Sequence, residues 1–189
     1  MTTTNKSVCS LGVKDLVLKE ITKDDSTGVT YGTEVISAKG VKTIESTLIQ
    51  ETKDLEGDGD ILATYTKNKG IDIKFTNAKV STALFALING ATVTTADNKT
   101  TITTATTDKA KYFGMEYKDI NTDGDATETH TAFYKVKGTL QKQYSEGDWT
   151  VCSFEGKAVK REYDSLLTAD EFYDTATQTG GMLKNLPTT

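Results

Sequence analysis

Pro187 is the only proline in the chain, so the 186 residues before it meet no proline at all. Proline removes a ladder N–H and is confined to sheet edges, so its absence removes the commonest obstacle to long strands. The 35 threonines among 189 residues push the same way. A β-branched side chain fits the pleated surface and loses rotamer freedom in a helix. The chain is therefore expected to be mainly β. Its length suits a single domain spanning residues 1–189, able to bury about two thirds of its unfolded surface without disulfides or metals.

The first twelve residues are polar and predict a flexible N-terminal arm, with a core over 13–163 and a C-terminal arm over 164–189. Val13 to Ile21 predicts a strand. Asp24, Asp25, Ser26, Thr27 and Gly28 then form a turn before a second extended stretch from Val29 to Ala38, together an opening hairpin. Val41 to Gln50 and Ile61 to Thr76 predict two long strands. Ile61, Ala63, Tyr65, Ile71, Ile73 and Phe75 share one parity, which predicts one buried and one wet face. Between the two runs, residues 51–60 (ETKDLEGDGD) carry two glycines and five acids and predict a long exposed loop. Ser81 is placed to cap a helix over Thr82 to Asn89 that Gly90 ends. That helix is apolar on nearly every side and has to be sandwiched. Residues 91–109 read as either a weak hairpin or an irregular connection. Strands follow over Lys111 to Ile120 and Thr129 to Gln141, the latter with Ala132, Tyr134, Val136 and Leu140 on one face, and over Trp149 to Tyr163.

Little in the sequence carries chemistry. His130, the only histidine, excludes multi-histidine metal sites, and no GxSxG surrounds any serine, so it reads as a solvated strand residue. Asn121-Thr122-Asp123-Gly124-Asp125 begins like a calcium loop but has Ala126 and Ala132 where the EF-hand needs Gly and Glu, so it predicts a hairpin turn. Glu56-Gly57-Asp58-Gly59-Asp60 is likewise read as a turn and not a metal site. Phosphate-binding glycine loops are absent, and Trp149 and the tyrosines are not interleaved with Lys and Arg in a stacking platform. Cys9 and Cys152 read as inert thiols. Asn5-Lys6-Ser7 and Asn98-Lys99-Thr100 match the glycosylation sequon in a chain with no secretory signal, so they are expected to be unmodified. No apolar run approaches a membrane span. The net charge of −5 argues against sequence-independent nucleic-acid binding. No enzyme activity, cofactor or metal is expected.

Residues 28–93 carry a set of motifs together: Tyr31-Gly32, the acidic segment Asp54 to Asp60, the alternating run Ile71 to Phe75 followed by Asn77-Ala78, and the capped helix Ser81 to Gly90. This combination resembles the major tail tube proteins of long-tailed, siphophage-type bacteriophages. The resemblance covers the first half of the chain well and the second half by strand count and order. It implies a tail-tube-type β-sandwich or partly open barrel with one short flanking helix, a long strand-connecting loop and extended terminal arms.

It also implies a structural virion protein assembled in the host bacterial cytoplasm. Six copies would form a ring, and the rings would stack into the tail tube, the conduit for genome ejection. Its partners would be other copies of itself, a tape measure protein and other tail proteins. DNA would pass through the channel without specific binding, and no membrane would be involved. The segment Asp54, Leu55, Glu56, Gly57, Asp58, Gly59 and Asp60 would make the contact between rings. The alternative is a cell-surface or pilus-like adhesive β-module without catalytic activity.

Overall fold

A computed structural model describes residues 6–58, 60–79, 81–124, 126–144 and 150–174. In chain order the described residues form β1 (Val8–Asp25), β2 (Gly28–Tyr31), β3 (Ile36–Ala38), β4 (Val41–Gly57), β5 (Asp60–Asn77), α1 (Thr82–Asn89), β6 (Thr92–Ala96), β7 (Lys99–Thr103), β8 (Phe113–Gly124), β9 (Glu128–Gln143), β10 (Val151–Ala158) and β11 (Thr168–Tyr173). The fold is mainly β with one short helix, as the composition predicts. Nine strands make one antiparallel sheet in the order β2-β1-β8-β9-β10-β5-β4, with β3 also on β1 and β11 also on β9. The remaining two, β6 and β7, pair only with each other.

The sheet is open, not a closed barrel. Leu16 and Leu18 of β1 nevertheless share one buried cluster with Ile73 and Phe75 of β5, so the sheet curls enough to bring distant strands together. At the centre Phe154 stacks on Phe75 at 4.7 Å and meets Phe113 edge-on at 5.9 Å. Gly138 and Gly156 face each other across β9 and β10 because the Phe154 ring lies over them. A Cβ on Gly138 would fall within 2.7 Å of that ring.

The helix forms where the sequence places it. The Ser81 hydroxyl accepts from the Leu84 N–H at 3.5 Å, and Gly90 ends the helix at φ 72°. Leu84, Phe85, Leu87 and Ile88 enter the core. Asn89 then makes two hydrogen bonds of 2.8 Å, to the carbonyl and the N–H of Leu140. The side chain thus substitutes for a strand where β8, which pairs β9 only as far as Val136, has ended.

The ends of the chain differ from expectation. Residues 8–12 are strand, not arm, because β1 continues along β8 from Val8, bending at bulges near Gly12 (φ 77°) and Asp15 (φ 54°). The stretch Val29 to Ala38 is split at 32–35 into β2 and β3, both still paired with β1, which confirms the opening hairpin. Within the C-terminal segment, Thr168–Tyr173 is strand and pairs with β9, so only 164–167 and Asp174 of the described part lie outside a strand. Short alternation over six residues gave no sequence signal for it. The last predicted strand is shorter than expected, since Trp149 lies outside the described residues and β10 stops at Ala158. Residues 92–103 adopt the hairpin alternative, with Asp97 and Asn98 at φ 50° and 62° in its two-residue turn.

Face assignments also shift. Along β9, Ala132 and Tyr134 lie in a small cluster with Ala169, whereas Phe133, Val136 and Leu140 belong to the main core. A bulge opposite Phe113 and Met115 changes the phase between Phe133 and Val136, so one parity cannot describe the strand.

Candidate functional site

Strands β4 and β5 pair along nearly their whole length, from Val41 with Asn77 to Gly57 with Asp60. Only the lower part belongs to the curled sheet, because β10 pairs β5 from Ile71 to Asn77 and no further. From Leu48 to Gly57 and from Asp60 to Gly70 the two strands form a ribbon with no third strand among the described residues. Ten residues at about 3.3 Å each make it roughly 33 Å long.

The predicted loop at 51–60 is therefore corrected. Asp54, Leu55, Glu56 and Gly57 are the end of β4, Asp60 starts β5, and Asp58 (φ 55°) is a turn residue between them. Gly59 itself lies outside the described residues. The sequence did carry the signal: Asp58-Gly59 between two alternating runs is a two-residue hairpin turn, which allows the strands to pair up to it. Acidic composition suggested loop instead.

The expected burial of Ile61, Ala63 and Tyr65 is also overturned. Ile71, Ile73 and Phe75 are buried, but Ile61 and Tyr65 are 62% and 63% exposed. Alternation reports a two-faced strand without reporting what covers the apolar face, and beyond Gly70 nothing in the described chain does. Leu55 and Leu62 join them at 62% and 66% exposed.

The ribbon is held mainly by cross-strand side-chain contacts. Gln50 donates to Asn68 at 3.0 Å, and the hydroxyls of Thr52 and Thr66 meet at 3.3 Å. On the other face Glu51 pairs with Lys69 at 2.5 Å and Lys53 at 3.6 Å. Lys69 holds the Glu51 carboxyl below its ordinary range. Lysines and the bulges near Gln50 and Glu56 are the devices that keep open edges from pairing at random. An isolated two-stranded ribbon is marginal in water, and clustered exposed apolar side chains mark a contact surface.

His130 is not solvated. It is fully buried, with Nδ1 2.9 Å from Glu116, Nε2 3.5 Å from Glu128 and the Tyr173 ring 4.6 Å away. Lys118 reaches Glu128 at 3.0 Å and Asp15 at 3.6 Å. The histidine is a joint in a buried ionic network linking β1, β8, β9 and β11. Charged neighbours on paired strands were invisible before the register was known.

Tyr31 has a similar structural task. Its hydroxyl donates to the Tyr134 carbonyl at 2.7 Å and receives Arg161 at 3.4 Å, while Arg161 lies over the Tyr134 ring and pairs with Asp164. Burial pushes the Tyr31 phenol up to about 12. In place of the turn expected at 121–125, Asn121 to Gly124 are the end of β8 and pair with β1; the Asn121 side chain donates to the Ala126 carbonyl and accepts from Ser10, and Asp125 lies outside the described residues. Cys9 is exposed and Cys152 buried, with burial raising the Cys152 thiol. No group of three or more potential metal ligands occurs among the described residues. No family model matches the chain, and no curated protein matches it in sequence.

Proposed function

We propose that this protein is a structural subunit that polymerises, as stacked rings, into a phage tail tube. The observation that carries the reading is the projecting β4–β5 ribbon with Leu55, Ile61, Leu62 and Tyr65 exposed on a surface that a monomer leaves uncovered. A further copy of the chain is the covering partner, and residues 51–60 make the contact between rings. The outer edge of β4 has no partner among the described residues and serves for edge-to-edge pairing within a ring. Rings joined by unlike surfaces stack into an open filament.

Genome passage needs a wall with little free positive charge. The outward face of β4, β5 and β10 suits that role, because two of its lysines are matched: Lys74 with Glu155 at 3.1 Å and Lys157 with Asp72 at 3.6 Å. A tape measure protein and other tail proteins are the remaining partners of this reading.

The test compares the full chain with a variant in which residues 50–67 are replaced by a short Gly-Ser turn. Circular dichroism is expected to report the same folded sheet. Negative-stain microscopy is expected to show tubes for the full chain only. Strictly monomeric sedimentation of the full chain over a wide concentration range would refute the proposal.

A further inference from the structure

The ribbon has two chemically opposite ends. At the tip Asp54, Glu56, Asp58 and Asp60 are all exposed. At the other end of the same two strands, about 55 Å away at 3.3 Å per residue, Lys39, Lys42 and Lys79 are exposed around the Gly40 turn, with Lys14 beside them. Lys79 lies against Gly40, and a Cβ there would sit 3.3 Å from its side chain. None of these four acids or four lysines takes part in an ion pair among the described residues. At the tip Lys53 is engaged with Glu51, and at the base Asp15 with Lys118.

The apolar pattern matches as well. Between β1 and the β3–β4 turn lies a recess lined by Val13, Ala38 and Val41 together with Lys14, Lys39 and Asp15, the last with its carboxylate paired to Lys118. The tip carries Leu55 and Leu62 among its acids, each more than 60% exposed. One end is thus an apolar point ringed by carboxylates, and the other an apolar recess rimmed by lysines.

We infer that the ribbon tip of one copy docks into the lysine-rimmed recess at the base of the next, so that head-to-tail charge pairing sets the polarity of stacking. This rests on the reading of the ribbon as an inter-ring contact and adds its partner surface and its register. Tip against tip is disfavoured by like charge, and so is base against base. Exposed pairs are individually weak, and loss of the set is expected to raise the critical concentration for assembly about tenfold, the factor that 1.4 kcal/mol produces. Because the pairs are exposed, salt screens them.

The experiment uses three full-length variants and the ribbon replacement described above. One variant reverses the tip (Asp54→Lys, Glu56→Lys, Asp60→Lys), one reverses the base (Lys39→Glu, Lys42→Glu, Lys79→Glu), and one carries all six changes. Pelleting and microscopy at about 50 mM salt read assembly, and circular dichroism verifies that each exposed substitution leaves the sheet folded. The tip and base variants are each expected to lose assembly alone. Their equimolar mixture is expected to recover it, since each supplies the end the other now fits, and the six-fold variant is expected to assemble with itself. Failure of both the mixture and the six-fold variant overturns the charge pairing, as does wild-type assembly by the tip or base variant. In those cases the ribbon reading still stands if the ribbon replacement abolishes tubes. Normal tubes from the ribbon replacement, or a wild-type chain that stays monomeric, overturn both.

Discussion

Truncating leucines at three places should separate folding from assembly. Leu84 is fully buried between α1 and the sheet. Leu84→Ala removes its transfer energy and leaves a cavity with no route to solvent, which places it toward the upper part of the about 3–5 kcal/mol range for such changes. Leu87 is also buried, at 4% exposure, but it borders an open recess between α1 and residues 32–36, lined by Ala83, Ala86 and Ile36. Water or a small helix shift can fill that space, so Leu87→Ala should cost about 2–3 kcal/mol. Leu55→Ala touches nothing in the core and should stay within about 0.5 kcal/mol of wild type. The assay is urea unfolding at a concentration low enough to keep the chain monomeric, since assembly would add apparent stability. With m of about 2 kcal/mol/M, the midpoints should fall by about 2 M for Leu84→Ala and about 1 M for Leu87→Ala, with m unchanged. Leu55→Ala should keep its midpoint but lose tubes. A midpoint loss for Leu55→Ala as large as that for Leu87→Ala would mean the ribbon packs within the monomer, and equal losses for the two helix variants would refute the argument from the recess.

The buried polar joints yield further expectations. Asp24 is held by Lys135 at 2.5 Å and by the Glu162 and Tyr163 N–H groups at 3.0 and 3.4 Å. Burial alone would raise its pKa, but these hydrogen bonds and the Lys135 charge lower it on balance. Its stabilisation is therefore complete above the unfolded value near 4 and is lost as pH falls through the lower folded value. Acid unfolding should begin below about pH 4, and Asp24→Asn should flatten that limb of a melting-temperature profile. His130→Leu leaves Glu116 and Glu128 without the group between them and should cost about 3–5 kcal/mol in urea titration. Gly138→Ala drives a Cβ onto the Glu155 carbonyl and the Phe154 ring, so soluble yield and melting temperature should both collapse, whereas Gly28→Ala, with open space around it, should be nearly neutral. Chelator should leave the melting temperature unchanged, because the Asn121 side chain is committed to the Ala126 carbonyl and Ser10.

What the sequence revealed depended on how local the determinant was. Ser81 and Gly90 set the helix by contacts within one turn of it, so it was readable; residues 91–109 left two alternatives open, and Asp97 and Asn98 at positive φ decide for the hairpin. Ile61, Tyr65, Ile71 and Phe75 have the same alternation, yet the first pair is exposed and the second buried. The difference lies in β10, which is 75 residues or more away in sequence and stops at the partner of Ile71. The same remoteness hid His130, whose setting is made by β8 and β11 across the register, and β11 itself, which borrows its strand conformation from β9. The acidic segment at 51–60 was named as a candidate contact only through the resemblance, and its composition suggested a loop where the chain forms paired strand.

On the proposed reading, the size of the ribbon contact also dictates the order of assembly. Fully burying a large apolar side chain is worth about 1.5–3 kcal/mol. Leu55, Ile61, Leu62 and Tyr65 are each about two-thirds exposed, so covering all four would contribute about 4–8 kcal/mol. Association of two bodies costs an estimated 4–15 kcal/mol in lost freedom. One ribbon in one recess therefore roughly breaks even, and two free subunits should not remain joined through it. A ring presenting six ribbons to six recesses meets that cost once and makes the contact six times, because after the first contact the others are intramolecular. The ribbon thus works as a stacking element only after its neighbours are fixed in a ring. A weak single contact keeps free subunits from stacking in the host before rings exist, which is the physical use of leaving this much apolar surface on a ribbon blunted by lysines and bulges.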